Sequence, residues 1–453
     1  MKKLLLSLCG AAALAVSAVE VKVDAARAVG PVKPVNGVGQ PPLLGGRTHR
    51  LFKYLEDAHV PFSRLHDMGG MFGKGVFVDI PNIFRDFDAD ENDPANYDFA
   101  FTDNLLAGMA QYHIAPFYRL GVTIENYPDL RAYRIFPPKD YAKWARICEH
   151  VMAHYVDGWA NGFHYKVSHW EIWNEADFHP DPKKSMMWQA PFEEYIKLYL
   201  VASKHLKARF PNEKIGGFAS CGFYAAVDSK SEQQIHHLKC IHAFLAAVQR
   251  EKAPLDFFSY HTYSGVEGAL AQVAAAQKIL EQYGFGDVET CLNEWLPRPS
   301  HDRLGTAEQA SEIAAQLIGF QNSSLKSAAI YDARCGTGNY SPLFNPLTYT
   351  PHKAYYAFTA FDALRRLGTA VAATSDAKHV YAAAAAKDGH VAVMLANFSK
   401  TAEPLKLDLG GATPVVCRLT DDARTDAAVP LPAELPPFSF LVVQATRPSA
   451  AVR

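Results

Sequence analysis

Two glutamates in this chain sit in settings that suit bond cleavage by paired carboxyl groups. One closes the segment Trp170-Glu171-Ile172-Trp173-Asn174-Glu175, and the other closes Thr290-Cys291-Leu292-Asn293-Glu294, just before Trp295. A carboxylic acid that protonates a leaving oxygen, set opposite a carboxylate that attacks carbon, is the equipment for breaking a glycosidic bond. Where the attack is direct, the two groups stand about 5–5.5 Å apart. Environment divides the labour: a carboxyl beside a negative neighbour stays protonated, whereas one held by donors stays ionised. On this reading Glu175 is the general acid/base and Glu294 the nucleophile.

Residues so distant in sequence meet only on a scaffold that returns the chain to one place. Strand-like apolar runs fall at 35–39, 61–66, 114–120, 168–175, 214–220, 256–263, 288–294 and 328–332. Between them lie helix-length amphipathic segments, among them 141–157, 191–210, 232–249, 266–283 and 306–321, and a further one at 353–367 follows the last strand. This alternation predicts an α/β architecture, a (β/α)8 TIM barrel over residues 35–367. A doubly wound sheet wants a glycine-rich phosphate turn, and Asn36-Gly37-Val38-Gly39 is too short and lacks the third glycine.

In such a barrel the functional residues sit at the C-terminal ends of the strands. Glu175 and Glu294 fall there on the fourth and seventh. Glu289, five residues before Glu294, is directed by strand alternation to the opposite face, toward the helices. Glu171 shares parity with Glu175 but lies deeper, where an interior carboxylate needs a partner, with Arg64 the candidate. For Asn174 and Glu175 to face one site, the strand must end in a bulge or twist.

After residue 367 the texture changes to short strands at 371–374, 379–386, 390–399, 404–409, 415–419 and 438–445, with Asp388-Gly389 as a hairpin signal. Residues 368–447 are therefore expected to form a smaller antiparallel β-sandwich, joined by a strand from residues 19–34. Residues 1–18 read as an export signal: Lys2 and Lys3, an apolar run over 4–16, then Val16-Ser17-Ala18. The expected destination is periplasmic or secreted. No run is long enough to span a membrane.

The formal net charge of −2, with no basic run, argues against nucleic acid as a partner. Downstream of the leader the cysteines contain no C-x-x-C pair, so they read as buried apolar side chains rather than a zinc or disulfide framework. His236, His237 and His242 lack the spacing of a helical zinc site and are expected to face solvent. No metal or organic cofactor is called for, and the sequence leaves the oligomeric state open.

The Trp170–Glu175 motif, with a glutamate ending the seventh strand, resembles clan A of the glycoside hydrolases, and most closely family 39, the β-xylosidase and α-L-iduronidase group. Ser63-Arg64-Leu65-His66-Asp67 and Ser259-Tyr260-His261-Thr262-Tyr263 support the likeness. The resemblance implies that Asn174 bonds a sugar 2-hydroxyl, that His261 and Tyr263 contact the sugar and hold the nucleophile, and that Arg64 keeps it ionised. His66, Asp67 and Arg119 are candidate substrate contacts by position. Trp295 and Phe178 would form a sugar platform, and Tyr331, Asp332 and Arg334 either an ion pair or a ligand contact. Ala176 stands where the family's β-xylosidases carry proline, and Asn293-Glu294-Trp295-Leu296-Pro297 departs from their Thr-Glu-aromatic-Asn-Thr pattern. A β-xyloside is the first expectation; arabinosides, galactosides, glucosides and uronic-acid sugars remain open, as does a non-catalytic carbohydrate binder.

Overall fold

The computed structural model describes residues 18–42, 50–68, 78–123 and 135–447. The expected leader lies outside them except for Ala18. After an N-terminal strand, β1 (Val19–Pro31), eight strands close a barrel: β2 (Gly37–Gly39), β3 (Phe62–Leu65), β4 (Ala115–Leu120), β5 (His169–Ile172), β6 (Ile215–Ser220), β7 (Phe257–Thr262), β8 (Glu289–Trp295) and β9 (Ser327–Ile330). All neighbours run parallel, and β2 pairs with β9 to shut the ring. Parallel strands walled by helices are apolar on both faces, which is why these runs are near-continuously buried. At Gly37 a Cβ would stand 2.5 Å from Phe62 Cζ and 2.7 Å from the Ala328 carbonyl oxygen, so this strand needs glycine to fit between its neighbours.

Alternation sorts the interior into layers. Phe62, Phe117, Phe257, Cys291 and Ala329 form one apolar layer at the floor, with His169 stacked on Phe117 at 4.5 Å. Two residues further along the same strands come Arg64, Arg119, Glu171, Ser259 and Asn293, a buried polar layer beneath the mouth. By the same count Glu289 is an interior residue of the floor, not a helix-facing one: its Oε1 lies 3.0 Å from His169 Nε2, and Lys214 Nζ donates to Oε2 at 2.5 Å. The expectation failed because β8 is bulged. Tyr260 pairs with Leu292 but His261 with Glu294, so Asn293 is an extra residue, and both Asn293 and Glu294 turn inward.

The remaining strands, β10 (Thr369–Ser375), β11 (Val380–Lys387), β12 (His390–Asn397), β13 (Glu403–Asp408), β14 (Thr413–Thr420), β15 (Ala427–Ala428), β16 (Glu434–Leu435) and β17 (Ser439–Thr446), join β1 in one sheet of nine. β1 enters this sheet between β10 and β13. It pairs antiparallel with β10 and parallel with β13, so the sheet is mixed. Val391, Val393 and Leu395 gather with Val21, Val371 and Leu441 into a core without helical residues, which requires the sheet to curl on itself as a half-barrel. The alternate residues Ala392, Met394 and Ala396 join the barrel's core instead. The helix Ala307–Gln321, which contacts β11, β12 and β17, is accordingly buried on almost every side.

Candidate active site

β5 ends at Ile172, and the next residues make the turn the motif required. Trp173 (φ 73°) and Glu175 (φ 45°) adopt left-handed backbone. Trp173 is pinned by its indole N–H on the Met187 carbonyl at 2.9 Å, and the Glu175 N–H donates to the Ala219 carbonyl at 3.0 Å. Asn174 and Glu175 thereby both reach the mouth. Asn174 Oδ1 accepts from Arg64 Nη2 at 2.5 Å, and Glu175 Oε1 lies 2.8 Å from His261 Nδ1.

Glu294 arrives from β8 through the bulge. Arg64 Nη1 donates to its Oε2 at 3.1 Å, the Tyr263 hydroxyl donates to its Oε1, and His261 Nε2 stands 3.7 Å from Oε2. One carboxylate oxygen from each glutamate and one ring nitrogen of His261 all lie within 4.8 Å of one another. Beneath them Glu171 is saturated, accepting from Arg64 Nε and Nη2 at 2.9 and 2.7 Å, from Ser259 Oγ at 2.6 Å, and from Asn293 Nδ2. It is the paired core carboxylate anticipated from its parity.

Burial pushes Glu175 up to about 7, with the nearby Asp177 charge adding to it. Burial also pushes Glu294 up to about 7, and Glu175 adds to that, while His261, Arg64 and Tyr263 pull it down. Two carboxyls this close resist double ionisation and titrate as a pair. Of the two, Glu294 accepts directly from a guanidinium, a contact that favours its ionised form. His261 is pushed below its ordinary value by burial, against the opposing pull of Glu294.

Residues 19–302 match the family model described as glycosyl hydrolases family 39. The chain belongs to that family. It is 28% identical over 201 residues to a β-xylosidase of Geobacillus stearothermophilus, covering 42% of this chain and 36% of that protein. Over 231 residues it is 26% identical to a β-xylosidase of Caldicellulosiruptor saccharolyticus, covering 46% and 41%. The match thus spans roughly two fifths of those relatives' length. In fold it is similar to a glucosidase from Croceicoccus marinus (TM-score 0.73, 18% identity, 96% of this chain and 100% of that one). It is likewise similar to a GH39 β-xylosidase from Caulobacter crescentus (TM-score 0.66, 16% identity, 95% and 100%).

Around the two carboxyls, this family 39 chain builds one wall from a buried polar network. Arg119 is locked to Asp79 at 2.6 Å, and its Nε donates to His66 Nδ1 at 3.2 Å. His66 Nε2 lies 3.1 Å from Asp67 Oδ1. Asp67 Oδ2 accepts from the Tyr331 hydroxyl at 2.8 Å, which itself accepts from Gln40 Nε2 at 2.7 Å. Thr123 donates to both Asp67 and Asp79. His66, Asp67 and Arg119 are at most 2% exposed and hold one another. Sequence reasoning missed Gln40, Asp79 and Thr123, none of which lies in a recognisable motif, and Asp177, which accepts from Ser220 Oγ at 2.7 Å near Glu175.

Arg334 forms an ion pair, its Nε and Nη2 donating to Asp332 Oδ2 at 3.0 and 2.8 Å. Trp295 is not a platform. It is fully buried and packs edge-on against Phe320 at 5.1 Å, because the bulge that turns Glu294 inward sends the next residue into the helix layer. Phe178 packs half-buried against the core. His237 is buried and His236 and His242 are half-buried, not solvent-facing as expected, because their helix Glu232–Glu251 lays that side against its neighbours.

Proposed function

We propose that this chain is a retaining glycosidase in which Glu294 and Glu175 carry out a double displacement. The observation that carries this reading is the approach of their carboxylate oxygens to within 4.8 Å. That approach is in keeping with the short carboxyl separation that direct attack needs. A Glu294 oxygen bonds to the anomeric carbon as the glycosidic C–O bond breaks, and Glu175 gives its proton to the departing oxygen. Water then bonds to the anomeric carbon, its proton returns to Glu175, and Glu294 leaves as the carboxylate. Asn174 bonds the 2-hydroxyl, while Tyr263 and His261 hold the nucleophile and contact the sugar.

The substrate is a carbohydrate, with a β-xyloside the first choice because the relatives matched are β-xylosidases. The engagement of Arg334 by Asp332 favours a neutral sugar over a uronic acid. Arabinosides, galactosides and glucosides are the next to be tried. A non-catalytic carbohydrate binder is disfavoured by two carboxyls brought together at one mouth. Residues 1–18 have the composition of an export leader, and we place the mature protein in the periplasm or outside the cell. N-terminal sequencing of protein recovered from cell fractions tests that placement.

Purified protein assayed on p-nitrophenyl glycosides, with proton NMR of the first-formed sugar, tests the main reading. Release with the anomeric configuration preserved is expected. Net inversion, or binding without release on every sugar, overturns it.

A further inference from the structure

The floor of the barrel holds a second cluster that the proposed chemistry does not use. His169 from β5 and Glu289 and Cys291 from β8 converge there, within the phenylalanine layer. His169 Nε2 to Glu289 Oε1 is 3.0 Å, Cys291 Sγ to Glu289 Oε1 is 3.6 Å, and Cys291 Sγ to His169 Nε2 is 3.9 Å. His169 and Cys291 are 5% and 1% exposed. We propose that this triad is a binding site for a zinc-like divalent transition-metal ion at the closed end of the barrel, remote from the glutamate pair.

Three observations support the assignment. The donors are an imidazole nitrogen, a thiol sulfur and a carboxylate oxygen, the mixture that borderline-soft zinc takes. Ligands held tetrahedrally about 2.0–2.3 Å from zinc stand roughly 3.3–3.6 Å from one another. The three spacings bracket that range, so a shift of a few tenths of an ångström seats an ion. The donors are also oriented from outside, as metal ligands usually are. Ser327 Oγ donates to Cys291 Sγ at 3.0 Å, Lys214 holds the outer oxygen of Glu289 at 2.5 Å, and the His169 ring is packed between Phe117 and Phe257 at 4.5 and 4.8 Å. Lys214 is half exposed, which puts the triad one side chain from solvent. On binding, the Cys291 thiol gives its proton to solvent and the sulfur bonds the ion as thiolate. Ligands from two strands leave no spacing motif, which is why sequence alone does not report the site.

The inference stands independently of the glycosidase reading, and its test is kept apart from activity. Full-length protein carrying Glu175→Gln and Glu294→Gln, which disarm the mouth, is stripped with chelator, loaded with zinc, desalted and analysed for metal. One zinc per chain is expected, falling about tenfold or more when Cys291→Ser is added. Cobalt loading should give a near-ultraviolet thiolate-to-cobalt band that Cys291→Ser abolishes. No retained zinc, or zinc and cobalt signals unchanged by Cys291→Ser, overturns the proposal. If Cys291→Ser does not fold, absence of the cobalt band in the folded Cys291-containing protein does so instead.

Discussion

Arg64 Nη1 lies 3.1 Å from Glu294 Oε2 with both side chains buried, so this carboxyl, the proposed nucleophile, meets a fixed positive charge where water cannot screen it. The same guanidinium grips Glu171 through two other nitrogens. A lysine cannot reproduce that fork. Arg64→Lys should therefore lower kcat/KM by about 10- to 100-fold, the worth of one or two charge-assisted hydrogen bonds. Because the lost contact favoured ionised Glu294, the acidic limb of the pH profile should move to higher pH. A reduced rate with an unmoved acidic limb would show that Arg64 acts only on packing.

The two glutamates should fail differently. Glu294→Ala removes the proposed nucleophile and should abolish turnover, by about 10⁴-fold or more, on every leaving group. Glu175→Ala removes proton donation, worth about 10²–10⁴-fold, but mainly where the leaving oxygen needs a proton. Comparing p-nitrophenyl xyloside with xylobiose in both variants reads the division directly. Equal losses on both substrates in Glu175→Ala would contradict the acid role.

Glu175 also carries a stability signature. Its carboxyl is raised from 4.5 to about 7 in the folded protein, chiefly by burial. The folded state therefore holds that proton more tightly than the unfolded chain does. The associated stability is full below the unfolded value and is lost as pH rises through about 7. Glu175→Gln escapes the loss, so relative to the parent it should gain up to about 3 kcal/mol between about pH 4.5 and pH 8. Urea unfolding at those two pH values measures this. A difference that does not change with pH would mean that Glu175 is not held protonated.

The barrel was legible because its strands and helices alternate over residues 35–367, and parity alone paired Glu171 with Arg64. Parity failed at β8 because one extra residue, Asn293, exchanges the two faces, and nothing in Leu292-Asn293-Glu294 announces a bulge. That single event misplaced Glu289, whereas Trp295, next to the inward Glu294, is sent outward by alternation in either register. Asp79 and Thr123 were invisible for another reason. They sit outside the strands and matter only through Arg119 and Asp67, partners chosen by tertiary folding.

Trp295 offers a clean test of the bulge. If it lined the pocket, its removal would raise KM and spare the fold. Buried against Phe320 in the helix layer, it instead contributes through packing. Trp295→Ala should cost about 3–5 kcal/mol of stability, as large-to-small changes at buried aromatic sites do. Under conditions where the variant stays folded, KM for an aryl xyloside should stay within about twofold of the parent, since a core residue contributes no uniform binding energy. Urea unfolding and steady-state kinetics on one preparation decide the matter. A variant that kept its stability and lost affinity would place Trp295 at the mouth and contradict the bulge at Asn293.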